Sequence, residues 1–205
     1  DLQEPLRKIQ MFVSRLEDKE VESLTEGGKE YFAKIRLTAN KMQTLLIDLL
    51  NYSRVAKGDK IFIKLNLNEI IEQCLLDLSV DIEQKKAEIE VSDLPDIKGI
   101  GFQMEQLFIN LISNSLKYSK ENMSPKILIK SGKIIGKEMY DGRIISNSEY
   151  HKIIVSDNGI GFKQEYANKI FLLFKRLETD NKYTGTGIGL AICKKIVENH
   201  NGFIK

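Results

Sequence analysis

Two heptad stripes at the start of the chain constrain its fold more than any other sequence feature. Apolar residues recur every three or four positions in both, which is typical of helices that pack along one seam. The stripes consist of Leu2, Leu6, Ile9, Val13 and Leu16, and of Phe32, Ile35, Ala39, Met42, Leu46 and Leu49. Gly27-Gly28 between them predicts a break. Two helices joined by a short connection form an antiparallel hairpin.

The hairpin has more apolar surface than it can cover by itself. The second stripe is widened by Leu45 and Leu50, which face away from a single partner helix. We therefore expect a four-helix bundle built from two copies of the chain, that is, a homodimer through the hairpin. The alternative is that the hairpin packs on the rest of the chain.

The remainder of the chain mixes short strands with helices. Lys57-Gly58-Asp59 ends the hairpin, so we predict domains at residues 1–57 and 58–205. Alternation predicts strands at 61–65, 126–135 and 151–156, with shorter ones at 89–91 and 97–99 separated by a turn at Pro95. Asn66 followed by Glu69 predicts a helix start resembling a capping box. The fold class expected is α+β, a helical hairpin followed by an α/β sandwich with its helices on one face.

Composition excludes several classes of function. The 31 basic and 29 acidic residues are interspersed and leave a net charge of +2, so we expect no nucleic-acid partner and no direct membrane contact in this segment. No apolar run reaches the roughly 20 residues of a membrane span. Cys74 and Cys193 lie in apolar helical patterns, which indicates reduced core thiols in a cytosolic setting.

A helix at residues 106–119 has an unusual polar face. Asn110, Asn114 and Lys117 lie on one stripe, opposite the apolar face. Asparagine is a poor helix former, so two in register carry a stability cost. Taken alone, the stripe is better explained as a solvated polar face.

Two glycine-rich stretches follow downstream. Asp157-Asn158-Gly159-Ile160-Gly161 comes directly after a strand, where an acid can accept a hydrogen bond and the glycines allow close backbone approach. Gly185-Thr186-Gly187-Ile188-Gly189-Leu190 opens a helix, whose free N–H groups favour phosphate. Basic residues between them, Arg176 and Lys182, are candidate phosphate contacts in a closing loop. Each stretch is a weak signal by itself.

The combination is specific. NLISNSLKYS, DNGIGF, FLLFKRL and GTGIGLAI, in this order, resemble the nucleotide-binding domain of sensor histidine kinases, and the hairpin resembles their dimerisation and phosphotransfer domain. DLQEPLRKI is similar to the segment that follows the family's phosphoacceptor histidine. The resemblance implies a GHKL-type (Bergerat) ATP-binding domain with Mg²⁺, and a response-regulator receiver domain as partner.

The resemblance also implies a site. It makes Asn114 the Mg²⁺ ligand, Asn110 a neighbour facing the phosphates, and Asp157 the acceptor of the adenine amino group. Lys117 would contact phosphate and Tyr118 the adenine side, while Phe174 would anchor the lid. The remaining nucleotide contacts implied are Gly159, Gly161, Arg176, Lys182, Gly185, Thr186, Gly187, Gly189 and Leu190. Related ATPases have a general-base Glu at the position of Asn110, and an amide cannot take a proton from water.

Three departures from the family pattern matter. The chain begins one residue after the expected acceptor histidine, so we expect a fragment that cannot autophosphorylate as it stands. Asp1 matches the acid that helps activate that histidine. Glu4 stands where many relatives have Thr or Asn, which places phosphatase action in doubt. The sequence also stops at Gly202-Phe203-Ile204-Lys205, so we expect the family's last strands to be missing from this fragment. The function implied is a cytoplasmic protein-histidine kinase core; the alternatives are an ATPase of the same fold and a non-catalytic, nucleotide-binding dimeric scaffold.

Overall fold

A pair of helices is followed by a layered mixture of strands and helices. The computed structural model describes residues 3–19, 21–57, 61–135, 139–140, 143–144, 149–177 and 185–205. The helices are α1 (Gln3–Lys19), α2 (Glu26–Lys57), α3 (Leu67–Asp77), α4 (Ser79–Lys85), α5 (Gly101–Lys117) and α6 (Gly189–Asn199). The strands are β1 (Ile63–Asn66), β2 (Glu88–Val91), β3 (Asp96–Gly99), β4 (Lys126–Ile135), β5 (Met139–Tyr140), β6 (Arg143–Ile144) and β7 (Glu149–Asp157).

The hairpin of α1 and α2 covers only part of its two apolar stripes. Leu6 and Val13 of α1 and Phe32 and Ala39 of α2 are buried. Most of the other described members remain exposed, with Ile35 at 53% of its maximum accessible surface, while Leu46 is half-buried. Further exposed apolar side chains on the two helices are Ile9, Phe12, Leu16, Met42, Leu49 and Leu50. One hairpin therefore leaves a broad apolar face uncovered.

The predicted helix break at Gly27-Gly28 is wrong. A short 3₁₀ turn at Val21–Ser23 separates the helices, and both glycines lie in the first turn of α2. Thr25 caps that turn, because its Oγ1 accepts a hydrogen bond from the Gly28 N–H at 3.2 Å. Glycine costs little in a first turn, where most N–H groups have no helical partner.

The main sheet places β4 between β2 and β7. β2 runs parallel to β4, and β7 pairs with β4 antiparallel along its whole length, from Ile127 opposite Asp157 to Ile135 opposite Glu149. β1 and β3 form a separate antiparallel pair. The strands on either side of Pro95 therefore belong to different sheets and do not pair with each other.

Asn66 ends β1 and starts α3, as its sequence position predicts. Its Oδ1 accepts a hydrogen bond from the Asn68 N–H at 3.0 Å, and its Nδ2 donates to Glu69 Oε1 at 3.2 Å. Glu69 thus supports the side chain of the cap rather than the cap's backbone, a variation on the capping box.

Helix α5 lies at the centre of the core. Its apolar face packs with α3, α6 and β4, whose buried side chains include Ile71, Cys74, Ile127, Ile129, Ile192 and Ile196. The same cluster includes Leu45, Tyr52 and Val55 of α2. The end of the hairpin therefore packs against the α/β part of the chain. The α+β fold class, a helical hairpin followed by an α/β sandwich, is confirmed. The domain division at residue 57 stays a prediction.

A buried polar contact reinforces this junction. Asn199 at the end of α6 donates through Nδ2 to the Val55 carbonyl at 2.8 Å and to Gln103 Oε1 of α5 at 3.2 Å. Asn199 is 8% exposed and Gln103 is fully buried. Three helices that are distant in sequence are thereby joined at one side chain.

Candidate nucleotide site

The polar stripe of α5 faces the first turn of α6. Asn110 donates through Nδ2 to the Gly189 carbonyl at 3.3 Å, and its Oδ1 accepts from Gln106 Nε2 at 3.2 Å. These two bonds fix the orientation of the amide. Gln106 was not singled out from the sequence, although it lies one turn before Asn110 on the same face.

The end of β7 positions a carboxylate between two donors. Asp157 Oδ1 accepts the Gly159 N–H at 2.8 Å, and Oδ2 accepts the Ser115 hydroxyl of α5 at 3.1 Å. The following turn is fastened to α5, because the Ile160 N–H donates to the Tyr118 carbonyl at 3.0 Å. The turn after β7 and helix α5 therefore each donate one hydrogen bond to the Asp157 carboxylate.

Gly159 lies where no side chain fits. A Cβ added there would stand 2.6 Å from the Tyr118 carbonyl oxygen and 2.7 Å from Asp157 Oδ1. Gly161, two residues on, has a φ of +63°, in the left-handed region that favours glycine. Asn158, which precedes Gly159, has a structural role, since its side chain accepts from the Lys126 N–H at 2.9 Å and donates to the Ser124 carbonyl at 3.1 Å.

The second glycine turn lies against the end of α5. The Lys117 ammonium occupies the space where a Cβ of Gly185 would project. Gly187 has a φ of +75°, and a Cβ there would approach the Lys175 carbonyl oxygen to 2.9 Å. Helix α6 then begins at Gly189, and its N-cap residue Ile188 has no side-chain acceptor for the free N–H groups. This end of the helix is a suitable place for an anion.

Thr186 in this turn makes a contact that the sequence did not predict. Its hydroxyl donates to a carboxylate oxygen of Asp48 in α2. Ile188 N–H in turn approaches Thr186 Oγ1 at 3.4 Å. The glycine turn is therefore joined directly to the hairpin.

A cleft of about 1270 Å³ lies between the sheet and the helices. Leu107, Leu111 and Phe162 contribute to an apolar wall, with polar groups at the margin. The predicted site residues that line it are Asn114, Tyr118, Asp157, Gly161, Arg176 and Leu190. Such a mixture, largely apolar with a few fixed polar groups, is typical of small-molecule sites.

Other predicted residues lie beside the cleft or beyond the described structure. Asn110 and Gly189 contact each other, as do Lys117 and Gly185. Phe174 is exposed and has a φ of +61° in the loop before the glycine turn. Asp1 and Lys182 lie outside the described residues.

The two cysteines predicted to lie in the core and one histidine, His200, have structural roles. Burial raises the pKa of Cys74 to about 11 and that of Cys193 to about 12, although a hydrogen bond with Asn110 opposes the second shift. His200 uses both ring nitrogens: Nε2 accepts the Ile100 N–H at 3.0 Å and Nδ1 donates to the Ile196 carbonyl at 2.8 Å. His151 is exposed on β7.

The described ranges contain neither a membrane-spanning helix nor a metal-binding cluster of side chains. No helix there is long and apolar enough to cross a membrane. Nor does that part of the chain gather three or more His, Cys, Asp or Glu side chains able to hold a metal ion.

Comparison with known proteins identifies the family. Residues 99–205, just over half of the chain, match the family described as histidine kinase-, DNA gyrase B-, and HSP90-like ATPase. The phytochrome-like protein Cph1 of Synechocystis is 37% identical over 204 residues, covering 100% of this chain and 25% of Cph1. The chain thus spans about a quarter of the length of the curated phytochrome relatives it matches.

Solved structures show the same fold. Full-length ShkA in complex with AMPPNP superposes with a TM-score of 0.65 at 21% identity, over 98% of this chain and 39% of ShkA. The catalytic domain of histidine kinase ThkA gives a TM-score of 0.51 at 27% identity, over 68% of this chain and 81% of that domain. The chain belongs to the histidine kinase-, DNA gyrase B-, and HSP90-like ATPase family, and within it is a sensor histidine kinase catalytic core.

Proposed function

We propose that the chain is the ATP-dependent protein-histidine kinase core of a two-component signal transduction system, working in the cytoplasm. The single observation that carries the proposal is that Asn114 of α5 and Asp157 after β7 line one cleft, beside which the glycine turn before α6 contacts Asn110 and Lys117. ATP would bind there, and its γ-phosphoryl group would pass to a histidine immediately before Asp1, then to an Asp of a response-regulator receiver domain.

ATP suits the two ends of the cleft. Asp157 can only accept hydrogen bonds as a carboxylate, so it suits the amino group of adenine, with Tyr118, Gly159, Gly161 and Leu190 around the base. The α6 N-terminus and its glycines suit phosphate oxygens. The phosphate side is assigned to Lys117, Arg176, Lys182, Gly185, Thr186, Gly187 and Gly189, with Phe174 anchoring the lid. AMPPNP in the ShkA complex supports a nucleotide in this fold.

Mg²⁺ fits the residues present. Mg²⁺ keeps several waters and is bound by one or two protein oxygens together with substrate phosphates, so a closed cluster of acids is not required. The side-chain oxygen of Asn114, which lines the cleft, is a suitable hard ligand. When bound, Mg²⁺ would neutralise charge that develops on the phosphates.

The chain's own residues favour transfer over hydrolysis. Asn110 is an amide whose donor and acceptor are engaged by Gly189 and Gln106, so it supplies no base to activate water. Its role is to support the phosphate side of the site. In the transfer step, an imidazole nitrogen attacks the γ-phosphorus, the bond to the bridging oxygen breaks, and ADP leaves. Asp1 would accept the N–H of the other ring nitrogen and orient the imidazole.

The hairpin would bring two chains together as a homodimer. The uncovered face with Ile9, Phe12, Leu16, Ile35 and Met42 supports a second copy that completes a four-helix bundle. A receiver domain would dock near the start of α1. Sedimentation that finds a monomer at micromolar concentration would contradict the dimer.

The proposed activity has a direct test. A chain extended by one histidine before Asp1 should become labelled from Mg-[γ-³²P]ATP, with the base-stable, acid-labile linkage of phosphohistidine. The matched control carries glutamine at that position and should remain unlabelled. Asn114→Ala removes the proposed metal ligand, so it should weaken binding of Mg-ATP while binding of ATP measured in the presence of EDTA changes little. If the histidine-extended chain binds ATP but acquires no label, the proposal that it is a kinase is refuted.

A further inference from the structure

Ser115 makes a contact that the family resemblance does not assign. Its side chain is on the buried side of α5, with the residue 7% exposed, and both Ser115 and Asp157 line the cleft. Its Oγ lies 3.1 Å from Asp157 Oδ2 and 3.2 Å from the Leu111 carbonyl oxygen. A hydroxyl carries one proton, so it can make only one of these two bonds well at a time.

The carboxylate is the stronger acceptor for that proton. The Leu111 carbonyl already accepts the helical N–H from four residues on, whereas a charged oxygen forms shorter and stronger hydrogen bonds. Asp157 then has one donor on each oxygen, the Gly159 N–H at 2.8 Å and the Ser115 hydroxyl. One donor comes from the turn and the other from the helix, so rotation of the carboxylate is blocked from both sides.

We propose that Ser115 is a positioning residue that sets the site's preference for a 6-aminopurine base. By holding Asp157 in one orientation, it directs a remaining lone pair into the cleft, where a 6-amino group can donate to it. A purine with a 6-oxo group presents an acceptor there and is rejected, since two acceptors face each other. This inference rests on the proposed nucleotide function.

The competing explanation is local. Serine within a helix often donates back to the carbonyl four residues earlier, which has no bearing on a ligand. In that case the Asp157 contact would be incidental, and loss of the hydroxyl would alter helix stability without changing base selectivity. The two explanations predict different responses to a nucleotide that lacks the 6-amino group.

The test compares ATP with purine riboside triphosphate, which has no 6-amino group, in calorimetric titrations of the full chain. Ser115→Ala should weaken ATP binding about threefold to tenfold, the cost of ordering a released side chain, and leave purine riboside triphosphate within about twofold. Ser113→Ala is the matched control, because Ser113 Oγ donates to the Asn110 carbonyl at 3.3 Å within the same helix and does not contact Asp157. It should leave both affinities unchanged.

Asp157→Asn and the variant that combines it with Ser115→Ala complete a double-mutant cycle. Once the carboxylate is gone, Ser115→Ala should have little further effect on ATP. Ser115→Cys keeps the volume with a weaker donor and should give an intermediate ATP affinity, which provides a second folded variant. Equal losses for both nucleotides, or a lower melting temperature with unchanged selectivity, would overturn the role of Ser115 and leave the proposed function intact. Absence of purine nucleotide binding by the unmodified chain would overturn both.

Discussion

Replacing Gly159 with alanine tests the geometry of the proposed base pocket most directly. The added Cβ would stand 2.6 Å from the Tyr118 carbonyl oxygen and 2.7 Å from Asp157 Oδ1. Neither neighbour is the free end of a flexible side chain. The first is backbone at the end of α5, and the second is held by the Gly159 N–H. The turn must therefore move away from the helix.

The cost follows from the bonds that this movement breaks. The Ile160 N–H to Tyr118 carbonyl bond spans 3.0 Å, and a shift of about half an ångström takes it beyond good hydrogen-bond range. Loss of that bond costs about 1 kcal/mol, and disturbance of the charged bond to Asp157 about 1.5–3 kcal/mol. Because the second bond orients the proposed adenine contact, we expect Mg-ATP affinity to fall about 10- to 100-fold.

Isothermal titration with Mg-ATP and urea unfolding separate binding from stability. The matched control is Gly132→Ala in β4, where an added Cβ meets nothing within 4 Å. The control should bind Mg-ATP like the unmodified chain. If Gly159→Ala binds Mg-ATP within about twofold of the unmodified chain, the turn does not shape the nucleotide site and the reasoning fails.

Three further predictions concern the junction between the helices, the proposed phosphate side and the core. Asn199→Ala removes the donor shared by the α2 carbonyl and the α5 amide, and should lower the free energy of unfolding by about 2–4 kcal/mol in urea titration; a change below about 0.5 kcal/mol would contradict the junction. Asp48→Ala frees the Thr186 hydroxyl and removes a negative charge beside the proposed phosphate side, so Mg-ATP affinity should rise about two- to fivefold in titration. Weaker binding would contradict the idea that Asp48 competes with the phosphates for that hydroxyl. Because burial raises the pKa values of Cys74 to about 11 and Cys193 to about 12, both thiols are neutral at pH 8 and should react with a thiol reagent only after unfolding.

Strands and helix starts that are specified by neighbouring residues were predicted from the sequence. The alternation of residues 126–135 matches β4 residue for residue, and α6 begins at Gly189, inside the glycine-rich stretch predicted to open a helix. Asn66 was predicted as a helix start because an N-cap signal lies within a few residues. By contrast, the helix break was assigned to Gly27-Gly28, since glycine is a strong breaker in helix interiors but not in a first turn capped by Thr25.

Features that depend on distant partners were not predictable. The strands beside Pro95 pair with β1 and β4, and no local signal specifies a partner far away in the sequence. Ser115 was passed over because a serine in a helix is ordinary until the strand end that it contacts is known. The contact between Thr186 and Asp48 spans 138 residues and joins two predicted domains. The contact between the glycine turn before α6 and the asparagine face of α5 was predicted from the order of the motifs along the chain, not from hydrophobic periodicity.

The Thr186 hydroxyl connects the hairpin with the proposed phosphate side, and its chemistry limits what both can do. One proton cannot serve the Asp48 carboxylate and a phosphate oxygen together, so the contact with α2 would compete with the phosphate contact proposed for Thr186. Thermodynamic linkage is reciprocal: a contact that weakens nucleotide binding by some factor must itself be weakened by nucleotide by the same factor. The Asn199 contact has no such conflict, because its partners are a backbone carbonyl and Gln103 in the core. Nucleotide that engaged the Thr186 hydroxyl would therefore weaken the contact with α2 at the glycine turn and leave the Asn199 contact with the end of α2 unchanged.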